Sequence, residues 1–413
     1  MTSLVQFVED LLLQSVPSIG KCRFAFIPHI MWLNVALRGR FNFLNMARYG
    51  SYSERSYRSN FSQEFDFVAF NTALIVEHCS TRLSWIFDPS FIAKSGKKTP
   101  GVGYFWSGCA GKVKHGLELG GMALADHENH TAMHYHGTLT PKMKEDETLL
   151  GYYASHFTKD EATIERLQTL SKQVTVDAYF SKITFIEPLC EAQYDVTSRL
   201  RNDAHLRYRY IGLHVAGKRG AKTKYDGKVD IRNISEDHFT KTAETTDEDG
   251  KTERVFEGEA HVRSLKRWCK IVIVQYLKAG KITAVFIYFS TNCTQGWAEI
   301  LERYRHRFQI EFLYRDAKQF LGLEHCQSRQ AEALDFHLNL TLTTLNILKA
   351  KHWLAIPKDE NGKRPPFSVA DLRTLYINEL ILNQLILIYG KDPEVEINNP
   401  KIAKLFKLGT IAA

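Results

Sequence analysis

A short stretch near residue 300 places four polar side chains of complementary chemistry at helical spacing. They are Tyr304, Arg307, Glu311 and Lys318. An α-helix turns about 100° per residue, so these positions fall within roughly 60° of arc, and apolar residues face the other way. A carboxylate flanked by two cations and a phenol suits a metal ion and a phosphate chain. The alternative is the solvated face of an ordinary amphipathic helix, which has the same periodicity.

Two aspartates upstream follow short apolar runs that are typical of buried strands. Residues 83–87 read LSWIF, Asp88 follows them, and we expect Pro89 to end the strand there. Residues 173–176 read QVTV, and Asp177 follows in the same way. A buried carboxylate without a partner is costly, so an acidic residue at the end of a strand points to a ligand. Either aspartate alone is also typical of a turn or of a helix N-cap.

Together, Asp88, Asp177 and Glu311 predict a site for divalent metal ions. Carboxylate oxygens are the hard ligands that Mg²⁺ prefers in proteins. A pair of such ions about 3.5–4 Å apart can act on both the attacking and the leaving oxygen of a phosphodiester. The three residues come from two strand ends and one helix, so only the folded chain can bring them together.

These residues carry a resemblance to a known family. The chain resembles the bacterial insertion-sequence transposases of the DDE type, in the group marked by Y-x2-R-x3-E-x6-K, and fits all four positions of that signature. The segments around the aspartates, FDPSFIAKSGKKTPG and VTVDAYFSK, and the downstream SRLRNDAHLRY resemble blocks of the same family. The resemblance extends from about residue 20 to the C-terminus.

The resemblance implies a transposase that binds the terminal inverted repeats of its element, cuts DNA at the element end and transfers the strand to target DNA. Asp88 would bridge two Mg²⁺ ions, for which Mn²⁺ can substitute, and Asp177 and Glu311 would each complete one site. The implied partners are double-stranded DNA, both element ends and target, and a second copy of the chain in a synaptic homodimer.

The resemblance also implies the DNA contacts near the cut. Arg307 and Lys318 would hold DNA phosphates, and Tyr304 would donate a hydrogen bond. In this family an aromatic residue can receive a flipped base while the DNA end is held as a hairpin. Trp268 and Phe308 are the two candidates, and each is also consistent with a place in the core.

A candidate DNA reader lies in the helical region of residues 1–75. Residues 41–50 resemble a helix closed by a glycine, and SYSE at 51–54 is a capping-box pattern for the helix that follows. Arg55 and Arg58 lie on that second helix. Two helices joined by a tight turn, with arginines on the second, fit a helix-turn-helix that reads the inverted repeats in the major groove. An ordinary helical hairpin gives the same pattern.

The expected fold class is α/β, with an RNase H-like catalytic core. From about residue 80 the order is strand, hairpin, helix, strand, helix, and in an RNase H-like core the first and fourth strands are neighbours, which would bring Asp88 and Asp177 together. The interval from Asp177 to Glu311 is too long for a simple core, and its β-patterned runs resemble the β-rich insertion of the family. The expected division is a helical DNA-end-binding region at 1–75, the first part of the core at 76–204, the insertion at 205–290, the second part of the core at 291–355, and a helical C-terminal region at 356–413.

Composition agrees with this interpretation. A chain of 413 residues is too long for one ordinary core, and its net charge of +8 favours a polyanionic partner. The seven cysteines are scattered without a C-x2-C pair, which favours a reducing compartment over disulfides or a zinc ribbon. No secretory signal or membrane-spanning run is evident, so we expect a cytoplasmic protein associated with the bacterial nucleoid.

Four histidines, His127, His130, His134 and His136, surround a predicted hairpin turn. They do not predict a zinc site, because no cysteine lies at ligand spacing and the first two fall in the turn. The expected role is the surface chemistry of a hairpin.

Two other functions fit parts of the pattern. One is an RNase H-like endonuclease that does not transpose, which the helix-turn-helix pattern and the full-length resemblance disfavour. The other is a DNA-binding derivative of a transposase that has lost catalysis, which the presence of all three carboxylates disfavours.

Overall fold

The computed structural model describes residues 3–96, 98–213, 221–391, 399–406 and 408. Parts of the predicted regions therefore lie outside the described residues. These parts are residues 1–2 of the helical region, residue 97 within the segment around the first aspartate, residues 214–220 of the insertion, and residues 392–398, 407 and 409–413 of the C-terminal region.

The chain folds as a mixed α/β protein in which one long sheet packs against helices from both ends of the chain, and these helices also contact each other. The described helices are α1 (Leu4–Ser15), α2 (Lys21–Ala36), α3 (Phe43–Tyr49), α4 (Glu54–Phe61), α5 (Phe67–His78), α6 (Leu149–Thr158), α7 (Glu161–Leu170), α8 (Ile183–Glu191), α9 (Trp297–His306), α10 (Gln309–Phe320), α11 (Ala331–Lys349), α12 (Val369–Ile388) and α13 (Pro400–Phe406). None of them is long and apolar enough to cross a bilayer.

The strands of the described residues form a single sheet. They are β1 (Leu83–Ala93), β2 (Gly103–Ser107), β3 (Lys112–Asp126), β4 (Thr131–Leu139), β5 (Gln173–Thr175), β6 (Asp195–Leu200), β7 (Leu206–Arg209), β8 (Tyr225–Lys228), β9 (Phe239–Thr246), β10 (Lys251–Val262), β11 (Arg267–Lys278) and β12 (Lys281–Ser290). Their order is β2-β3-β1-β5-β6-β12-β11-β10-β7-β8, with β4 joined to β3 and β9 joined to β10.

Strand β1 lies in the middle of the sheet, which explains its apolar sequence. It pairs antiparallel with β3 on one side and parallel with β5 on the other. Trp85, Ile86 and Phe87 are fully buried. A strand covered on both faces reads as a continuous apolar run, as residues 83–87 do.

The expectation that Pro89 ends the first strand is wrong. Strand β1 continues through Asp88 and Pro89 to Ala93, and Pro89 pairs with Gly120 of β3. Strand β5 pairs with β1 only as far as Ile86, and beyond that point no described strand pairs with this edge of β1. A proline is tolerated at such an edge because its missing N–H breaks no ladder there.

The predicted insertion extends the core sheet. Strands β7 to β12 lie within residues 205–290, and β12 pairs antiparallel with β6 over residues 287–290 and 197–200. The predicted insertion is therefore hydrogen-bonded through β12 to β6, the strand that follows Asp177 in the chain.

Helix α11 is buried along its length and fastens the β3–β4 hairpin to the N-terminal helices. Asn346 accepts a hydrogen bond from the backbone N–H of His134 and donates to its carbonyl and to Asn71 Oδ1. Asn339 accepts from the N–H of Gly137 and donates to its carbonyl. We call Asn71, Asn339 and Asn346 the asparagine network. Every side-chain polar atom in it has a partner, as buried polar groups require.

Candidate active site

The register of the sheet places the two predicted aspartates side by side. Strands β1 and β5 pair in parallel with an offset of 89 positions, as between Trp85 and Val174. Asp88 and Asp177 have the same offset, since 177 − 88 is also 89. Strand β5 ends just before Asp177, and a short 3-10 turn follows it. The two carboxylates therefore lie at neighbouring positions where the parallel pairing stops.

The spacing predicted that the four signature residues lie on one helix, and this prediction is wrong. Tyr304 belongs to α9, Arg307 lies in the turn that follows it, and Glu311 and Lys318 belong to α10. The turn is tightened, because the Glu311 N–H bonds to the carbonyl of Phe308 three residues back instead of four. The two helices therefore pack against different strands, α9 against β6 and β12 and α10 against β1 and β4.

Two signature side chains contact the predicted carboxylates directly. Tyr304 donates a hydrogen bond from its hydroxyl to Asp177 Oδ1 at 3.1 Å. Arg307 forms an ion pair with Glu311, with 3.2 Å between Nη1 and Oε1. The Arg307 side chain is nearly buried, and its Nε has no hydrogen-bond partner. A buried guanidinium with an unused donor is an unsatisfied group, so this arrangement is incomplete without a further acceptor.

Lys318, predicted to hold DNA, is engaged within the fold. Its Nζ donates to the carbonyl oxygen of Phe91 in β1 at 2.6 Å and lies 3.5 Å from Glu324 Oε1. These contacts tie the C-terminal half of α10 to the strand that carries Asp88.

Tyr314 is a site residue that the sequence analysis missed. Its hydroxyl donates a 2.6 Å hydrogen bond to the backbone carbonyl of Asp88. Gly121 of β3 is paired with Asp88, and a Cβ added there would lie 2.0 Å from the Tyr314 oxygen. The glycine thus makes room for the tyrosine that holds Asp88. A glycine inside a strand is the signal that could have indicated such a close approach.

Asp88 lies in an electrostatic setting that disfavours its charge. Burial raises the pKa of Asp88 to about 7; the nearby Arg307 acts in the opposite direction, and the carboxylates of Glu311, Asp177 and Glu118 add to the rise. Glu118 is itself buried and accepts hydrogen bonds from Tyr153 and Thr140. Asp88 is therefore close enough to Asp177 and to Glu311 to be repelled by each of them.

These residues have the chemistry of a divalent-cation site. No donor among the described residues hydrogen-bonds the Asp88 carboxylate, and repulsion from Asp177 and Glu311 is relieved when a cation is bound. The oxygens of the three do not all lie within 4.8 Å of one another, a spacing that a separate group, His127, Glu302 and His306, does meet. The acidic residues are thus spread out, with Arg307 paired to one of them.

The two arginines predicted to read DNA lie on α4. Arg55 is exposed, and Arg58 forms an ion pair with Glu54 at 2.5 Å and stacks over Phe43. Both line a cleft of about 540 Å³ between α4 and residues 327–330, to which Arg329 adds a third arginine.

The predicted capping box at residues 51–54 is wrong by two positions. Ser53 caps α4 and accepts a hydrogen bond from the Ser56 N–H. Gly50 does close α3, and a Cβ at Gly50 would lie 2.0 Å from the Tyr57 hydroxyl. The glycine there is explained by close packing between the two helices.

The two aromatic candidates occupy different places. Trp268 stacks with Arg209, whose guanidinium lies 4.3 Å from the ring. Thr175 of β5 is in register with Lys270 of β11, through the intervening strands β6 and β12. Since β5 and β11 run in the same direction, Asp177 lies two residues beyond this line across the sheet and Trp268 lies two residues before it. Phe308 is half exposed and lies next to Arg307, with the guanidinium 5.2 Å from its ring. The structure brings Phe308, and not Trp268, beside the acidic residues.

The expected surface role of the hairpin histidines is wrong for His127 and His134. Both are buried, with 4% and 2% of their surface exposed. His134 hydrogen-bonds to Asn339 in the asparagine network. His127 lies against His306, a residue 179 positions away that the sequence gave no reason to associate with it.

Comparison with known proteins identifies the region that contains these residues. A family model described as a transposase DDE domain matches residues 86–347. The matched region begins in β1 and ends in α11, and it includes Asp88, Asp177 and Glu311. No curated protein matches the chain.

Proposed function

Since the chain belongs to the transposase DDE domain family, we propose that it is the transposase of a bacterial insertion sequence. It would bind the terminal inverted repeats, cut the DNA at the element end and join the strand to a target. The observation that carries this proposal is the position of Asp88 beside Asp177, with Glu311 close enough to raise the pKa of Asp88.

The strand order supports an RNase H-like core. Around β1 the order is β4-β3-β1-β5-β6, with β3 antiparallel to β1, and β5 parallel to both β1 and β6. In chain order, leaving out the edge strand β2, this is 3-2-1-4-5. The first and fourth strands of that series carry the aspartates, as an RNase H-like site requires.

Asp88, Asp177 and Glu311 are the residues that would hold two Mg²⁺ ions, with Mn²⁺ as a substitute. When bound, such ions activate water and stabilise the attacking and leaving oxygens of the phosphodiester. Asp88, whose carboxylate is near enough to interact with both Asp177 and Glu311, would be the shared ligand. Its raised pKa means that a cation must displace a proton from it near neutral pH.

The side chains around the carboxylates have separate tasks. Tyr304 orients Asp177 through its hydroxyl, and Tyr314 fixes the backbone of Asp88. Arg307 forms an ion pair with Glu311. With Mg²⁺ held at Glu311, the guanidinium would be available to a DNA phosphate beside the cut, and its Nε, which has no partner, would add a donor. Lys318 positions α10 on β1 and adds positive charge there.

Recognition of the element ends would come from the N-terminal helices. Arg55 and Arg58 on α4, as a helix-turn-helix reader, would contact base edges or phosphates, and Arg329 on the opposite wall of the cleft would reinforce them. If a base is flipped during cleavage, Phe308 is better placed than Trp268 to receive it, because it is exposed beside Arg307.

A synaptic homodimer would hold the two element ends together. Exposed apolar side chains on α12 are suited to contact between two copies; they are Ile381, Leu385, Leu387 and Ile388. They follow the part of α12 that is fastened to the body of the protein by Arg373, which donates to the carbonyl of Leu37 at 2.7 Å.

The test is excision from a donor plasmid that carries the gene between its native flanking sequences. We expect the wild type to release the element and Glu311→Gln to release none while still binding the ends in a mobility-shift assay. The Glu311→Gln variant is a close isostere, so loss of excision with retained binding assigns the carboxylate to the chemistry.

Other outcomes favour the two rival functions. Metal-dependent cleavage of DNA without joining to a target would indicate an endonuclease that does not transpose. End binding by both proteins with cleavage by neither would indicate a derivative that has lost catalysis. Absence of end binding by either protein would overturn the role of α3 and α4.

A further inference from the structure

A second group of side chains with metal-ligand chemistry lies where the turn between β3 and β4 meets α9. His127 is in the turn between β3 and β4, and Glu302 and His306 are on α9, one helical turn apart. Each offers one ligand atom, and the three atoms lie within 4.8 Å of one another. His127 and His306 are buried, so these imidazoles are fixed by the fold.

The imidazole rings of His127 and His306 approach each other through their Nδ1 atoms. His127 Nδ1 and His306 Nδ1 are 3.1 Å apart. Two nitrogens that bind one tetrahedral Zn²⁺ at about 2.0–2.1 Å are roughly 3.3 Å apart, so the observed separation needs little adjustment. His306 Nδ1 also lies 2.9 Å from the backbone carbonyl oxygen of Glu302.

The outer nitrogens of both rings have acceptors, as metal-binding histidines require. His127 Nε2 is 2.9 Å from the hydroxyl oxygen of Ser84, which is fully buried. His306 Nε2 is 2.8 Å from Nδ1 of His130. With protons on the outer nitrogens, each Nδ1 keeps a lone pair for a cation, which would replace the contact of His306 Nδ1 with the Glu302 carbonyl oxygen. Such outer contacts set the tautomer of metal ligands and raise their basicity.

The third side chain supplies the negative charge. Glu302 Oε2 forms an ion pair with Arg82 at 2.7 Å, which anchors the carboxylate and leaves its other oxygen for a cation. Burial, together with the neighbouring His306, lowers the pKa of His127 to about 4, so this ring is neutral at physiological pH. Neutral imidazole is the form that binds metals.

We propose that His127, Glu302 and His306 bind one Zn²⁺-class divalent ion, at a structural site separate from the acidic residues. Both imidazoles bind in the neutral form with their single proton on Nε2, so both Nδ1 atoms donate lone pairs to the metal and no net proton is released. The ion joins the β3–β4 turn to the end of α9, immediately before Arg307. Nitrogen ligands select zinc over Mg²⁺, which prefers oxygen, so the two sites take different metals.

The experiment measures zinc retained by the full-length protein. Protein stripped with a chelator is loaded with Zn²⁺ in millimolar Mg²⁺, passed through a desalting column and analysed by mass spectrometry for metal. We expect about one equivalent of zinc in the wild type and in Asp88→Asn, and none in His306→Gln or Glu302→Gln. His115→Gln, on β3 outside the cluster, is the matched control and should retain the metal.

A second measurement guards against variants that fail to fold. Ser84→Ala removes only the outer contact to His127, and we expect it to weaken zinc affinity about tenfold or more with an unchanged circular dichroism spectrum. Co²⁺ bound to the wild type should show the visible absorption of a four-coordinate site. The proposal is overturned if the wild type retains no zinc, or if His306→Gln and Glu302→Gln retain as much as the wild type.

Failure of this site and failure of the transposase proposal are distinguishable. Zinc binding does not require DNA, Mg²⁺ or an intact Asp88. Loss of zinc binding with normal excision would overturn only the histidine site, and zinc binding without excision would overturn only the proposed function.

Discussion

Two polar regions inside this protein differ in how completely their groups are satisfied. In the asparagine network, Asn71, Asn339 and Asn346 have partners for every side-chain donor and acceptor. At the acidic residues, the Asp88 carboxylate has no donor among the described residues and the Arg307 Nε has no acceptor. A satisfied buried network specifies and stabilises a fold, whereas unsatisfied groups persist where a ligand completes them. The comparison therefore assigns the asparagine network to stability of the fold and the acidic residues to ligand binding.

The largest effect should come from Asp88→Asn, which removes one charge at constant size. If the acidic residues hold cations, DNA cleavage should fall by about 1000-fold or more, since the loss of several kcal/mol of transition-state stabilisation has that size. The measurement is cleavage of a duplex bearing the element end in Mg²⁺. Equal loss of end binding in a mobility-shift assay would contradict a purely chemical role.

The next largest effect should come from Asn346→Leu, a substitution in the asparagine network. It leaves the backbone groups of His134 and the Asn71 carbonyl oxygen without partners, so the free energy of unfolding should fall by about 3 kcal/mol or more. Urea denaturation measures this change, and Asn233→Leu at an exposed position is the control, with less than about 0.5 kcal/mol expected. Reduced cleavage by fully folded Asn346→Leu would break the distinction between the regions.

Gly121→Ala tests the packing that positions Asp88. The added methyl would displace the Tyr314 hydroxyl, and such overpacking costs about 1–3 kcal/mol. We expect lower stability together with slower cleavage, because the backbone of Asp88 loses its fixed partner. Gly108→Ala is the control, since a Cβ there meets nothing within 4 Å. If Gly121→Ala cleaves at the wild-type rate, Tyr314 does not position Asp88.

The smallest effect is a dependence of stability on pH. An unfolded aspartate ionises near pH 4 and folded Asp88 near pH 7, so its contribution to stability is present below about pH 4 and is lost as pH rises through 7. In chelator, the melting temperature of Asp88→Asn relative to wild type should therefore rise by a few degrees between pH 5 and pH 8. Mg²⁺ should reduce that difference by stabilising the wild type.

The same scan separates the two regions. Burial lowers the pKa of His134 to about 3, so this ring, whose backbone Asn346 holds, stays neutral in this range. Burial raises the pKa of Asp335 to about 6, and Asp335 contacts Asn339, so the comparison uses the substitution at Asn346. The melting-temperature difference between Asn346→Leu and the wild type should stay constant from pH 5 to pH 8. A difference that changed with pH for this variant and stayed constant for Asp88→Asn would reverse the assignment of the two regions.

Local patterns predicted the elements that depend on local chemistry. The apolar runs before Asp88 and Asp177 are strands, and the predicted hairpin is β3 and β4. The assumption of one helix through Tyr304 and Lys318 failed because periodicity is indifferent to a tightened turn at Arg307. The predicted end of β1 failed because a proline is harmless at an edge that only the sheet pairing reveals.

Contacts between distant residues could not be predicted. The spacing that singled out Tyr304, Arg307, Glu311 and Lys318 assigns no role to Tyr314, and its bond to the Asp88 carbonyl depends on a glycine in β3. His127 and His306 are 179 positions apart, and each has an ordinary local context. Such pairings arise from tertiary packing, which a single sequence does not encode in its spacing.

The burial of α11 against the hairpin has a consequence for the order in which the nascent chain can fold. The backbone of His134 obtains its partner Asn346 only after a further 212 residues have been synthesised. Until then the polar groups of β4 lack those partners and the apolar face of the hairpin is open, a state prone to aggregation. Glu311 precedes α11 in the chain. The ribosome therefore synthesises the last of the three site carboxylates before it synthesises the helix that completes the core. Completion of the fold is thus coupled to translation of the last quarter of the chain.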